Sequence, residues 1–308
     1  MTTLLYTHPS CLAHDPGPHH PESPARLRAV LEALAAPEFA GLDRREAPEA
    51  ALDDLARVHP RRLVDALLAA MPKEGYAAID ADTVLCPDSG KAALRAAGAA
   101  AAAVDAVVAG EAATAFCAVR PPGHHAEPGR PMGFCLFNNV AVGALRAREV
   151  HGLARVAVID FDVHHGNGTQ ARFADDPTLF YASTHQSPLY PGTGAASETG
   201  VGNIVNLPLR PMSGSNEFRR GMERVVLPAL AAFAPELVMI SAGFDAHRAD
   251  PLAQMMLDEG DYAWVTERLL EIARDHARGR VVSTLEGGYD LPALGASAAA
   301  HVRALMAA

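Results

Sequence analysis

Four short apolar segments each lead directly into a cluster of glycine, histidine or acidic residues. The segments lie at 115–119, 156–159, 237–240 and 281–285, and the clusters after them read RPPGHHA, DFDVHHGNG, SAGFDAH and EGGYD. Apolar runs of this length, bounded by turn-forming residues, are typical of strands buried on both faces. In a parallel sheet the carboxyl ends of the strands share one edge, where ligands bind. The four clusters therefore predict one functional rim.

Helical patterns separate the predicted strands, for example at 137–150, 216–233 and 260–277. The alternation predicts an α/β fold with a mostly parallel sheet and helices on both faces. A length of 308 residues allows one or two domains. The sequence has no internal repeat and no Ser/Gly-rich linker, and its Pro/Gly-rich segments are spaced like long active-site loops. We therefore expect a single domain over residues 1–308.

The net charge of the chain argues against nucleic acids and anionic membranes as binding partners. It has 36 acidic and 26 basic residues, a formal net charge of −10, which removes the counterion release that draws proteins to nucleic acids or anionic membranes. The most apolar stretch, 96–119, is interrupted by Asp105 and Glu111 and predicts a buried helix followed by a strand. The four cysteines form no CxxC pair and no signal-like segment opens the chain, so we expect a cytoplasmic protein that binds neither membrane nor nucleic acid. The scarcity of lysine and the abundance of alanine indicate a bacterial source.

Asp162 and His164 form an Asp-x-His pair directly after a predicted strand. Side chains two residues apart on an extended segment point the same way, so both can reach one cation. Asp245 ends another predicted strand. Two carboxylates and one imidazole leave a fourth position for water or substrate, which is the pattern of a catalytic zinc site. Each residue alone also fits a loop turn or a salt bridge, but their occurrence with the other clusters favours the metal site.

His124 and His125 follow Pro-Pro-Gly at the end of a strand, where a loop can present both rings to one pocket for proton transfer. Asp160 and Asn167 can each fix a histidine tautomer, and the carboxylate raises its partner's basicity more than the amide does. Tyr289 follows two glycines and can aim its phenol at an oxyanion. The structural alternatives are a pair of core histidines, an Asp160 salt bridge and a packed tyrosine.

Five motifs, in this order, resemble the zinc-dependent histone deacetylases, nearest to the class II type and its bacterial amidohydrolase relatives. They are RPPGHHA (120–126), GFCLFNN (133–139), DFDVHHGNGTQ (160–170), SAGFDAHRADPL (241–252) and EGGYD (286–290). HPESPAR near the start and the helix after Pro87 are similar too, so the resemblance covers nearly the whole chain. It implies a single arginase/deacetylase-type domain with about eight strands, and zinc-dependent hydrolysis of an N-acyl amine such as acyl-lysine.

The resemblance also implies a role for each residue of the predicted site. One zinc ion per chain would be bound by Asp162, His164 and Asp245. His125 would be the general base and then the acid, with His124 as its electrostatic helper. Tyr289 would polarise the amide carbonyl.

Further residues are implied around this centre. Asp160 would pair with His124 and help to hold a structural potassium ion (K+). Asn167 would lie behind His125, where class I enzymes carry Asp, and this favours class II. Arg26 resembles the arginine of an inner channel through which acetate leaves.

The resemblance places substrate-binding residues at a narrow tunnel. Gly133 and Phe134 look like one wall. Tyr190, in LYPGTG, stands where the family usually has the opposing Phe, a departure that bears on the polarity of the tunnel and on acyl preference. Asp82, or else Asp80, is similar in position to the rim residue that accepts a hydrogen bond from the substrate backbone.

Three rival functions remain. A ureohydrolase of the same fold would need a second metal and a run such as Asp-Ala-His-x-Asp, whereas His164 is followed by His165-Gly166-Asn167. A non-catalytic acyl-amine binder is disfavoured because the ligands, both histidines and Tyr289 are all present. An acetylpolyamine deacetylase is disfavoured because Leu252 stands after Asp250-Pro251, where the eukaryotic polyamine enzyme has an acid. The sequence has no Gly-x-Ser-x-Gly motif, so nothing in it supports a serine hydrolase. The physiological substrate and the oligomeric state stay open.

Overall fold

The computed structural model describes residues 2–308. Its strands are β1 (Thr3–Thr7), β2 (Asp43–Glu46), β3 (Ala77–Ala78), β4 (Val84–Leu85), β5 (Thr114–Cys117), β6 (Val156–Asp160), β7 (Leu179–Gln186), β8 (Ile204–Leu209), β9 (Leu237–Ala242) and β10 (Val281–Leu285). Eight strands form one sheet in the order β2, β1, β5, β10, β9, β6, β7, β8, with every pair parallel. The antiparallel pair β3–β4 is a separate hairpin. The predicted parallel sheet is confirmed.

The four strands predicted from apolar runs are β5, β6, β9 and β10. Each begins and ends within two residues of its predicted bounds, and all of their residues are buried. They are neighbours at the centre of the sheet, in the order β5, β10, β9, β6. The polar clusters that follow them therefore meet at the middle of one sheet edge.

The helices are α1 (Ser10–Ala13), α2 (Pro24–Ala33), α3 (Leu52–Ala56), α4 (Arg61–Ala69), α5 (Ser89–Ala109), α6 (Asn139–Glu149), α7 (Asn167–Phe173), α8 (Ser215–Gly221), α9 (Leu227–Phe233), α10 (Glu259–His276) and α11 (Leu291–Met306). The helix predicted over 216–233 is α8 and α9 joined by a π-helical turn at Met222–Val226. One helix, α5, is long and apolar enough to cross a membrane, but 67% of its most apolar window is buried inside the structure. Such burial is typical of a core helix, and α5 does run into β5 as predicted.

Helices cover both faces of the sheet, as predicted. A Cβ atom on Gly143 of α6 would lie 2.6 Å from the Met239 side chain of β9, so these two elements pack directly. Ser283 of β10 bonds to His301 of α11 at 2.8 Å. Ser283 pairs with Ile240, the residue after Met239, and consecutive strand residues point to opposite faces. Helices α6 and α11 therefore lie on opposite sides of one sheet and enclose one hydrophobic core.

Candidate active site

The three predicted metal ligands lie together at the carboxyl edge of the sheet. Asp162 and His164 follow β6, and Asp245 follows the neighbouring strand β9. One candidate ligand atom from each residue lies within 4.8 Å of the other two, and all three residues are buried. His164 Nδ1 is 3.1 Å from a carboxylate oxygen of each aspartate.

Two buried carboxylates and one imidazole are a donor set that fits a divalent cation such as zinc. Burial lowers the pKa of His164, but its hydrogen bonds to the two aspartates and their charges outweigh burial and raise the pKa to about 10. The space between these groups thus attracts positive charge. Gly287 allows the close approach, because a Cβ atom there would lie 2.2 Å from Asp245 Oδ2 and 2.5 Å from Asp162 Oδ2.

His124 is paired with Asp160, with Nδ1 2.9 Å from Oδ2. Burial lowers the pKa of His124, but the charges of Asp160 and Asp162 outweigh burial and raise the pKa to about 10. The pair with Asp160 therefore favours the positively charged form of His124. The Asp160 carboxylate also accepts from Tyr181 Oη at 3.0 Å and from Asp162 N at 3.1 Å. The potassium ion expected near Asp160 stays a prediction.

His125 is paired with Asn167, and Glu127 determines which atoms meet. Asn167 Nδ2 donates to Glu127 Oε1 at 2.7 Å, so the amide oxygen faces His125. That oxygen is 2.8 Å from His125 Nδ1. A carbonyl oxygen only accepts, so Nδ1 must carry the hydrogen. Neutral His125 then has a free lone pair on Nε2, which is what a general base requires.

The two adjacent histidines differ in basicity, and their rings are 4.0 Å apart. The pKa of His125 lies well below its ordinary value, because burial and the positive charges of His124 and His164 outweigh the hydrogen bond to Asn167. These opposite shifts agree with the order expected from the partners Asp160 and Asn167, with His124 the more basic.

A pocket of about 230 Å³ has both His125 and His164 in its wall. Its lining residues are Asp82, His125, Gly133, Phe134, His164, Leu189, Tyr190, Leu252 and Tyr289. These include every residue expected to bind substrate except Arg26. Of the two rim aspartates considered, Asp82 lines the pocket and Asp80 does not. The Tyr190 ring lies edge-on to His125 at 5.1 Å, and Phe134 lies 6.0 Å from Tyr289.

Arg26 lies behind the pocket wall. It is fully buried, and its Nε and Nη2 atoms donate to the backbone oxygens of Gly288 and Glu286, each at 2.6 Å. Its Cζ atom is 4.7 Å from the centre of the Tyr289 ring. Burial raises the pKa of Tyr289 well above its ordinary value. The charge of Arg26 lowers this pKa and the charge of Asp245 raises it, but burial has the largest effect. The phenol therefore stays protonated and can donate a hydrogen bond into the pocket.

Two buried carboxylates that support the site were not singled out from the sequence. Glu286 Oε2 accepts from the backbone nitrogens of Gly123 at 2.7 Å and His124 at 3.2 Å, and so holds the loop with the two histidines. Glu22 accepts from Arg120 Nη2 at 2.7 Å. Glu286 opens the EGGYD motif and Glu22 lies in HPESPAR, so membership in these two motifs could have indicated both residues.

Comparison with known proteins gives one consistent result. The sequence profile of the histone deacetylase domain matches residues 20–305. Histone deacetylase 14, chloroplastic, of Arabidopsis thaliana is 39% identical over 98% of this chain and 76% of that protein. The histone deacetylase-like amidohydrolase of Pseudomonas aeruginosa is 39% identical over 93% of this chain and 81% of that protein.

A probable deacetylase of Archaeoglobus fulgidus is 37% identical over 94% of this chain and 82% of that protein. Among solved structures, the crystal structure of the HDA15 HD domain matches with a TM-score of 0.93 and 36% identity, covering 99% of this chain and 88% of that chain. The family resemblance and the fold class are confirmed. A bacterial source and a cytoplasmic location stay predictions.

Proposed function

The chain belongs to the histone deacetylase family, and from that premise we propose that it is a zinc-dependent enzyme that removes an acetyl group from an acylated lysine side chain. One observation carries the proposal: His164, from the buried set of two aspartates and a histidine, lines the same pocket as His125. A binder without turnover would not need two adjacent histidines, one bonded to a carboxylate and the other to an amide oxygen, beside the metal set.

Asp162, His164 and Asp245 would hold one zinc ion. When bound, zinc would polarise the acyl carbonyl and lower the pKa of a water molecule toward about 7. The remaining chemistry belongs to the side chains around it.

His125 Nε2 accepts a proton from the attacking water and later returns it to the departing amine, because its Nδ1 hydrogen is engaged by Asn167. His124 stays positively charged through its pair with Asp160 and favours the negative charge that develops on the acyl oxygen. Tyr289 donates a hydrogen bond from its phenol to that oxygen. Asp82, at the mouth of the pocket, accepts a hydrogen bond from a backbone N–H group of the substrate.

The pocket favours a lysine-like chain over a polyamine. Phe134, Tyr190 and Leu252 present apolar surface that suits the uncharged methylenes of acyl-lysine. A polyamine would bring an additional ammonium group, for which Asp82 is the one carboxylate among the lining residues. An acetylpolyamine deacetylase is therefore the second candidate, and Asp82 is the observation that favours it.

The metal assignment is tested by metal analysis and turnover. We expect about one zinc per chain, and Asp245→Asn should lose both zinc and activity because a ligand is removed. Asp105→Asn is a matched control that removes a carboxylate bonded to Arg146 away from the pocket, and it should keep both. Two metal ions per chain would favour the ureohydrolase, and zinc without turnover of any acylated amine would favour the binder.

The substrate assignment is tested by comparing kcat/KM for acetyl-lysine peptides with that for acetylspermidine and acetylputrescine. The peptides should be preferred, and Leu252→Glu should move the preference toward the polyamines by Coulomb attraction. An acetylpolyamine preferred by about tenfold or more in the wild-type protein would overturn this assignment and leave the hydrolytic chemistry intact.

A further inference from the structure

The loop between β3 and β4 forms part of the pocket mouth. Asp80 Oδ1 accepts from the backbone nitrogens of Asp82 at 3.1 Å and Thr83 at 2.7 Å, and the backbone nitrogen of Ile79 donates to Thr83 O at 2.8 Å. These bonds close the turn. Asp80 is therefore used within the loop, whereas Asp82 lines the pocket.

Thr83 joins this loop to the pocket wall. Its side chain is buried, and Oγ1 accepts from the backbone nitrogen of Phe134 at 3.2 Å. Because an N–H group only donates, the single hydroxyl hydrogen of Thr83 is free for Asp82, and it is donated to Asp82 Oδ1 at 3.1 Å. One oxygen atom thus fixes both the rim carboxylate and the backbone of the aromatic wall.

The backbone of Phe134 is in the left-handed region, with φ of 67°, which a residue other than glycine adopts when its surroundings hold it there. His20 also contacts Phe134. The rings of His20 and Phe134 lie edge to face, with their centres 4.8 Å apart, and His20 Nε2 donates a hydrogen bond to the backbone oxygen of Asp82 at 3.0 Å. His20 Nδ1 accepts from Glu22 N at 3.1 Å, which leaves the hydrogen on Nε2. Phe134 and Asp82 are therefore linked twice, once through Thr83 and once through His20.

We propose that Thr83 is a positioning residue for substrate binding, an inference that rests on the proposed deacetylase function. Its hydroxyl holds the Asp82 carboxylate in a fixed relation to the Phe134 wall, so that Asp82 can accept a backbone N–H while the acylated side chain occupies the pocket. Thr83 contacts neither the reacting atoms nor the proposed metal ligands in its hydrogen bonds. Its loss should therefore act on KM and leave kcat unchanged.

The test compares two substitutions on two substrates. Thr83→Val keeps the shape and removes the hydroxyl, and Thr83→Ser keeps the hydroxyl. With an acetyl-lysine peptide that has backbone amides on both sides, Thr83→Val should raise KM by about tenfold with kcat within about twofold, and Thr83→Ser should stay near wild type. With N-acetylbutylamine, which has no backbone amide, Thr83→Val should raise KM by clearly less than with the peptide, because only its effect on the Phe134 wall remains.

A double-substitution cycle tests whether Thr83 acts through Asp82. In an Asp82→Ala background, Thr83→Val should add less than about twofold to KM. Thr266→Val is the matched control, because its buried hydroxyl donates to Tyr262 O at 2.6 Å in α10 and does not adjoin the pocket. It should leave KM for the peptide unchanged.

Each other outcome overturns a defined statement. If Thr83→Val reduces kcat equally for both substrates and lowers the melting temperature, Thr83 is a structural residue and the inference fails. If Thr83→Val keeps the wild-type KM for the peptide, the inference fails and the proposed function stands. If the zinc-loaded wild-type protein hydrolyses neither substrate, the proposed function itself is overturned.

Discussion

Asn167→Asp replaces the amide that meets the proposed general base by a carboxylate of nearly the same size. The Asn167 oxygen is 2.8 Å from His125 Nδ1, so a negative charge at that place would favour the imidazolium form of His125. At an effective dielectric constant of about 20, two unit charges about 4 Å apart interact by about 4 kcal/mol, or about three pKa units. Burial and the charge of His124 still lower the pKa of His125 and so offset part of this effect. We therefore expect the pKa of His125 to rise by about one to three units.

Glu127 must be included in the same experiment. It accepts from Asn167 Nδ2 at 2.7 Å, so Asn167→Asp alone would bring two carboxylates to hydrogen-bond distance. Like charges this close disfavour ionisation of both groups, and one of them would bind a proton or turn away. Glu127→Gln in the same chain supplies an amide that can donate to the new carboxylate and so keeps it facing His125.

The measurement is the pH dependence of kcat/KM on an acetyl-lysine peptide, with zinc content determined for each variant. The acidic limb reports the base of the free enzyme. It should move to higher pH by about one to three units in the double variant and stay in place for Glu127→Gln alone. If the limb of the double variant does not move while zinc is retained, His125 is not the group that titrates and the assignment of the base is refuted.

Three further results are expected. Gly287→Ala should lower zinc content and activity, because its Cβ atom would lie 2.2 Å from Asp245 Oδ2, whereas Gly129→Ala, with no atom within 4 Å, should keep both in the same metal analysis. Tyr289→Phe should lower kcat by roughly 10²–10³ with zinc retained; a near-normal kcat would remove the phenol from the mechanism. Burial lowers the pKa of His301 to about 3, below its ordinary value of about 6.5, so the unfolded chain binds its proton first and stability falls as pH falls from about 6.5 toward 3. This residue should account for about 1.4 kcal/mol per pH unit, and urea unfolding at several pH values should show a shallower loss in His301→Asn; equal slopes would contradict the neutral burial of His301.

The central strands were predictable because burial on both faces requires a continuous apolar run. Strands β5, β6, β9 and β10 have that pattern and were found within two residues of their bounds. Strand β2 reads DRRE and lies at the edge of the sheet, where alternate residues are exposed, so it has no apolar run to detect. The hairpin strands β3 and β4 have two residues each, too few for a period.

The parts of the site that lie within one strand end were predictable as well. Asp162 and His164 follow β6 by two and four residues, and an Asp-x-His pair directly after an apolar run predicts two ligands of one cation. The contacts that join distant loops were not predictable, because they depend on how the loops meet in the fold. Thr83 and Phe134 are 51 residues apart and Glu127 and Asn167 are 40 apart, and neither pair forms a recognisable pattern along the chain.

The two adjacent histidines show where reasoning from partners alone stops. The partners Asp160 and Asn167 correctly predict that His124 is the more basic, but a pKa responds to every nearby charge as well as to the bonded neighbour. Burial and the charge of the adjacent His124 lower the pKa of His125 well below its ordinary value, although its bonded partner is only an amide. His125 follows β5 and His164 follows β6, with β10 and β9 between these strands in the sheet, yet the two rings lie 5.9 Å apart. The shift in the pKa of His125 therefore depends on how the loops after β5 and β6 meet, which its bonded partner alone does not determine.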